Sequence, residues 1–180
     1  MTLAYVFSHR LAPDHDAGAY EEALRRFHSA LAAARPTGFI RSTTYRVGDG
    51  YSDWYLVDSS AALDALNEAA VSGTRTSPHD AAARMAVDGA GKLLSLAAGA
   101  PDLDAGYEMR FAKPAGMAYQ DLYRRLQTVT GMPGVSLWRR MMVLGPPPEF
   151  CLVSRTPIGL PTEVQPEVVA REPIRLLSGE

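Results

Sequence analysis

The segment Tyr20-Glu21-Glu22-Ala23-Leu24-Arg25-Arg26-Phe27 recurs 99 residues later as Tyr119-Gln120-Asp121-Leu122-Tyr123-Arg124-Arg125-Leu126. The tyrosine, an acid two places on, the arginine pair and the apolar residue after it all stay in register. Self-similarity on this scale constrains the fold more than any single motif, because each copy must be one structural unit. Weaker matches extend it: Tyr5-Val6-Phe7 with Tyr107-Glu108-Met109, Val47-Gly48 with Leu144-Gly145, and Trp54-Tyr55-Leu56-Val57 with Phe150-Cys151-Leu152-Val153. The last match sets Lys92-Leu93-Leu94-Ser95 against Arg175-Leu176-Leu177-Ser178, with about a helix's length missing from the second copy before it.

Both copies parse alike. Leu3 to His9 has the apolar density of a strand, with Leu3, Tyr5 and Phe7 on one face. Pro13 to Asp16 is a turn, and Asp16 is a candidate N-cap. Tyr20, Leu24, Phe27 and Leu31 then form a helical stripe that Arg35-Pro36-Thr37-Gly38 ends. Phe39 to Val47 and Tyr51 to Val57 flank the hairpin signal Gly48-Asp49-Gly50. A second helix carries Leu63 and Leu66, Ser77-Pro78-His79-Asp80 opens an extra one around 78–88, and Lys92 to Leu96 is the fourth strand. In the second copy the strands are expected at Tyr107 to Ala112, Val135 to Leu144, Phe150 to Ser154 and Pro173 to Ser178, with a helix from Gly116 to Thr130. Pro157, Gly159, Pro161 and Pro166 leave room for no more than a turn of its second helix, which is expected to be shortened. The order β-α-β-β-α-β is the ferredoxin-like split unit, so the expected organisation is a first repeat at 1–98, a linker at 99–105 and a second repeat at 106–180.

Two such units, each with aromatic and apolar residues on the buried face of its first helix, resemble the dimeric α+β barrel superfamily. That resemblance covers residues 3 to 178 and is topological. It implies an α+β fold in which two tandem ferredoxin-like repeats, with antiparallel sheets, form one intramolecular barrel. The superfamily includes cofactor-independent monooxygenases, polyketide cyclases, muconolactone-isomerase-like proteins and chlorite-dismutase-like haem proteins. Leu66-Asn67-Glu68-Ala69-Ala70-Val71 with Pro78-His79-Asp80 resembles a motif of a tandem subgroup to which no activity is assigned.

Composition narrows the partners. Eighteen basic and twenty acidic residues nearly cancel, which argues against nucleic acid. No apolar run approaches membrane-spanning length and Met1-Thr2-Leu3-Ala4-Tyr5 lacks a leader pattern, so no membrane partner and a cytoplasmic location are expected. The single cysteine, Cys151, sits in an apolar strand and reads as an inert thiol.

No metal, phosphate-loop, serine-hydrolase or paired-cysteine spacing is present, so no cofactor or metal is expected, with haem left open by the resemblance. The chemistry must come from isolated residues. His9, at the end of the first strand beside Tyr5 and Phe7, is the first choice as a general base, or else a rim histidine bonded to its loop. Arg41 and Arg139 share strand faces with apolar residues and could hold a ligand carboxylate or phenolate, or could snorkel at a rim beside Asp53 or Glu108. Tyr5, Tyr45, Trp54, Trp138 and His79 could line a pocket, although large residues on strands also build cores. His28 follows the buried Phe27 and is expected on a helix surface; His15 lies in a turn between two capping acids. The expected function is binding of a small apolar or aromatic molecule between sheet and helix by a monomer or homodimer. The rivals are a monooxygenase or cyclase with His9 as base, and a haem protein with His9 or His28 as axial ligand.

Overall fold

The computed structural model describes residues 1–71 and 76–175, with the side chains of 76 and 77 left aside. The first repeat contains β1 (Leu3–Leu11), α1 (Ala17–Ala34), β2 (Phe39–Val47), β3 (Gly50–Val57), α2 (Ala62–Val71), α3 (Thr76–Ala83) and β4 (Ala86–Gly99). The second contains β5 (Tyr107–Phe111), α4 (Tyr119–Thr130), β6 (Ser136–Arg140), β7 (Phe150–Ser154), β8 (Glu167–Ala170) and β9 (Glu172–Ile174). Asp16 caps α1 as its sequence position predicts, its Oδ2 accepting from the Ala19 amide at 2.8 Å. Arg35 ends the helix in the left-handed conformation (φ 45°) just before Pro36, which cannot continue it.

All nine strands belong to one antiparallel sheet in the order β8-β5-β7-β6-β4-β1-β3-β2-β9. β8 and β9 are one chain segment broken at Arg171; the first half pairs with β5 and the second with β2. With β4 against β6 on the other side, the sheet nearly closes into a barrel. Arg171 sits at the break. Its guanidinium donates to the carbonyls of Ala105 (2.7 Å) and Asp102 (3.2 Å), faces Glu108 at 3.2 Å, and lies 4.1 Å over the Tyr45 ring.

Strand alternation divides the side chains between the barrel interior and the helix side. Inward lie Ala4, Val6, Tyr45, Trp54, Leu56, Leu94, Trp138, Cys151 and Val153, joined by Leu103 and Ala105 of the inter-repeat segment. Trp54 and Trp138, one from each repeat, meet edge to face at 5.6 Å. The interior is thus a packed core common to both repeats.

Several boundaries differ from expectation. The helix expected around 78–88 occupies Thr76–Ala83, and the chain is already in strand at Ala86, so β4 is far longer than 92–96. β6 ends at Arg140 because Met142 adopts a left-handed conformation (φ 48°) and starts the turn early. The strand expected over 173–178 is found at Glu172–Ile174, and the rest of that expectation, 176–178, lies outside the described residues. Among the described residues no helix is long and apolar enough to cross a membrane.

Candidate active site

On the helix side of the first repeat, the sheet and the three helices enclose a cavity of about 520 Å³. Its floor comes from β1 and β3, whose antiparallel register sets His9 opposite Tyr51, Phe7 opposite Asp53 and Tyr5 opposite Tyr55, all on the face turned away from Trp54. α1 supplies Tyr20, Leu24, Phe27 and Leu31; α2 supplies Leu63, Leu66 and Ala70; α3 supplies His79 and Ala82. β4 contributes space. A Cβ at Gly89 would sit 2.6 Å from the Phe7 ring and one at Gly91 would sit 2.4 Å from the Tyr5 hydroxyl, so both rings can lie flat across the neighbouring strand only because those positions lack side chains.

The polar end of this apolar cavity is built around Asp53, a carboxylate nearly without solvent contact. Its Oδ2 lies 3.3 Å from His9 Nε2 and its Oδ1 lies 3.5 Å from His28 Nε2. Thr44 donates to Oδ1 at 2.7 Å and Tyr55 to Oδ2 at 3.1 Å. Burial pushes the Asp53 carboxyl up, but the two imidazoles outweigh it and hold the group well below the usual carboxylate range. An ionised Asp53 has only lone pairs to offer, so the imidazole nitrogens facing it carry hydrogens and the far nitrogens accept. His9 Nδ1 therefore accepts from the Tyr20 hydroxyl at 2.6 Å, and His28 Nδ1 accepts from Ser42 Oγ at 2.8 Å. Burial, aided by the Asp53 charge, raises the Tyr20 and Tyr5 phenols, and raises Tyr55 well above its ordinary value; all three stay protonated near neutral pH. Tyr51 stacks on His9 at 5.7 Å and meets the Tyr20 ring edge to face at 5.1 Å, which fixes the imidazole plane.

The structure brings His9, Tyr5 and His79 of the sequence-derived candidates to this cavity and sends the others elsewhere. A bulge at Ile40 steps the β2 register between Phe39 and Arg41, and from Arg41 onward the pairing is regular, so Arg41 shares the face of Thr43 and Tyr45 at the end of the strand. It reaches the barrel rim, 55% exposed, and pairs with Asp104 at 3.3 Å instead of with Asp53 or Glu108. Arg139 belongs to the second repeat, bonded to Glu149 at 2.8 Å and stacked 3.9 Å over Tyr119. Trp54 and Trp138 fill the barrel interior, where Tyr45 donates to the Leu103 carbonyl at 2.6 Å. His28 corrects the surface placement expected for it: it is fully buried, stacked on Tyr55 at 5.1 Å, because α1 turns a wide stripe onto β2 and β3. His15 is exposed in its turn. Cys151 is buried and its thiol is pushed up to about 12 by burial, an inert group.

The residues that sequence reasoning passed over are Tyr20, Asp53 and Tyr55. The signal for Asp53 was available: a lone acid inside Tyr51-Ser52-Asp53-Trp54-Tyr55, out of phase with the inward Trp54, must face the helices. At the helix side of the second repeat Met109, Phe111, Leu122, Leu126, Leu137 and Phe150 form a buried apolar cluster with Val164, against which Ile158 and Leu160 pack. Among the described residues no cluster of three or more histidine, cysteine or acidic side chains is arranged to hold a metal ion.

No protein-family model matches the chain, and no curated protein matches it. Solved structures do. A candidate monooxygenase of Lactobacillus acidophilus superposes over 97% of this chain and 95% of its own, with a TM-score of 0.65 at 12% identity. A candidate chlorite dismutase superposes over 96% of this chain and 94% of its own, with a TM-score of 0.59 at 12% identity. SnoaB, a cofactor-independent oxygenase of Streptomyces nogalater, in a mutant form, covers 56% of this chain and 98% of its own, with a TM-score of 0.45 at 16% identity. Together with the nearly closed nine-stranded sheet, the two full-length superpositions show the fold of the dimeric α+β barrels, here made within one chain.

Proposed function

We propose that the first-repeat cavity binds a small apolar or aromatic molecule and takes a proton from it without a bound cofactor. One observation carries the reading: at the end of an otherwise apolar cavity, the His9 imidazole hangs between the Tyr20 hydroxyl and a buried, ionised Asp53. A substrate phenol or enol bonded to Tyr20 Oη would pass its proton to that oxygen while Tyr20 passes its own to His9 Nδ1, and Asp53 would balance the imidazolium. Such positioned acid–base catalysis is worth roughly 10²–10⁴ in rate. Among the described residues none that lines the cavity is lysine or arginine, and Arg41 and Arg139 lie elsewhere, so a developing substrate anion would rest on hydroxyls. Tyr5 lines the cavity and burial raises its phenol so that it stays protonated, which makes it a candidate donor.

What the anion does next separates the two enzyme types suggested by the fold. Attack on dioxygen gives an oxygenated product and water; attack on a carbonyl of the same molecule gives a ring and water. Incubating the protein with polycyclic phenols and open-chain polyketones, with oxygen uptake and product mass as readouts, distinguishes them. Binding without turnover of either class would leave a carrier or sensor and would overturn the enzyme reading.

Haem is the group that the chlorite-dismutase-like neighbour brings to mind, and the imidazoles expected to ligate it do not fit. His9 and His28 each have one ring nitrogen on a hydroxyl and the other turned to Asp53, so iron could be ligated only by dismantling the buried network. Haem addition is therefore expected to give no histidine-ligated Soret band.

A further inference from the structure

His28 lies behind Asp53, does not line the cavity, and is as fully buried as any residue in the chain. An imidazole in that position is costly as mere filling, because it must find partners for both nitrogens. Its Nδ1 has Ser42 Oγ at 2.8 Å, while its Nε2, with no hydrogen bond of its own, is aimed at Asp53 Oδ1 3.5 Å away, so the carboxylate is the group that compensates it. We infer that His28 is a positioning residue, which fixes Asp53 so that its Oδ2 faces His9 and which sets the pH at which the Asp53–His9 pair takes up its proton. This rests on the reading of His9 as the base of the cavity.

The argument is one of shared charge. A single carboxylate can balance one imidazolium, and two imidazoles compete for it. Whatever His28 contributes to Asp53, a hydrogen bond or a charge, lowers the hold of that carboxylate on a proton arriving at His9. The other groups facing the pair are Tyr20 from α1, Thr44 from β2, and Tyr51 and Tyr55 from β3, with Tyr5 on β1 near Asp53. The nearest further charges form the Glu21–Arg46 pair, joined to Tyr51 through its hydroxyl at 3.2 Å, with Arg25 3.9 Å from Glu21. Arg25 also pairs with Glu22 and Arg46 with Glu172, each at 3.1 Å, so both arginines are held by carboxylates other than Asp53, which leaves His28 as the second imidazole on the buried carboxylate.

The test reads titration, not turnover. The histidine ring resonances of the full-length protein, isotope-labelled, are followed with pH in wild type, His28→Phe and His28→Gln. Phenylalanine keeps the stacking on Tyr55 and loses the bond to Asp53; glutamine restores a donor. The inference predicts that the His9 midpoint rises by at least half a pH unit in His28→Phe and returns most of the way in His28→Gln. Should His28→Phe fail to fold, Ser42→Ala, which frees the His28 ring, is expected to move the His9 midpoint in the same direction. An unchanged His9 midpoint, or equal shifts in both His28 variants, overturns the inference. Because no substrate is involved, absence of turnover would count against the proposed function alone.

Discussion

His9 Nδ1 and the Tyr20 hydroxyl lie 2.6 Å apart, a contact that ties the end of the first strand to the first full turn of the first helix inside an apolar cavity. The neighbouring Asp53 fixes which partner donates, and the chemistry of the site follows from that direction. In Tyr20→Phe the ring and its packing persist while the relay is cut. Turnover of an acidic substrate is expected to fall by roughly 10²-fold or more with ligand affinity reduced less than tenfold, measured by steady-state kinetics and equilibrium binding.

Asp53 links the site to stability. Its folded-state carboxyl is held below the value it would have in the unfolded chain, so its contribution is complete above the unfolded value near 4 and is lost as pH falls below it. Urea denaturation between pH 2.5 and 7 should show this loss in wild type. Asp53→Asn should be destabilised by about 3–5 kcal/mol at pH 7 and should show a smaller acid dependence than wild type, the remainder coming from other lowered carboxylates such as Glu108 and Glu21.

Gly89 is predicted to govern the size of the cavity. An alanine there pushes the Phe7 ring toward the bound molecule, since the new Cβ would meet it at 2.6 Å. Gly89→Ala is expected to weaken binding of multi-ring aromatics at least tenfold while single-ring phenols bind nearly as before, as isothermal titration would report.

The two arginines that the sequence suggested for catalysis provide controls. Arg41 is exposed at the rim beside Asp104, and Arg139 is held by Glu149 and Tyr119 in the other repeat. Alanine at either position should leave ligand affinity unchanged within twofold, and Arg41→Ala should change stability by less than about 0.5 kcal/mol.

Barrel closure gives the last stability test. Trp138 is buried against Trp54 of the other repeat, and Trp138→Ala should cost about 3–5 kcal/mol. Because the core belongs to both repeats, guanidinium unfolding should remain a single transition in wild type and variant, by both fluorescence and circular dichroism.

The fold was largely legible because the repeat and the strand alternation report backbone arrangement, which local pattern encodes well. The site was legible only in part. His9 and Tyr5 could be placed on one strand face, but Tyr20 and Asp53 join them through a strand pairing and a helix docking that no local pattern states. Arg41 lies on the face that alternation gives it but at the exposed end of β2, the rim position of its alternative reading, and it meets Asp104 there instead of a cavity. His28 misled because the buried stripe of α1 is wider than Tyr20, Leu24, Phe27 and Leu31 alone. In the second repeat Phe111 and Phe150, stacked at 5.3 Å, belong to an apolar cluster at the corresponding helix side.

The ultraviolet-visible spectrum of a bound polycyclic phenol, titrated with pH in wild type, Tyr20→Phe and His9→Phe, reports whether the Tyr20–His9–Asp53 relay takes the ligand's proton. Burial beside Asp53 raises the ionisation of the bound phenol in every variant, and the relay should make that rise smaller in wild type than in either variant by at least one pH unit. Equal ionisation midpoints in wild type and His9→Phe would contradict a proton relay through His9.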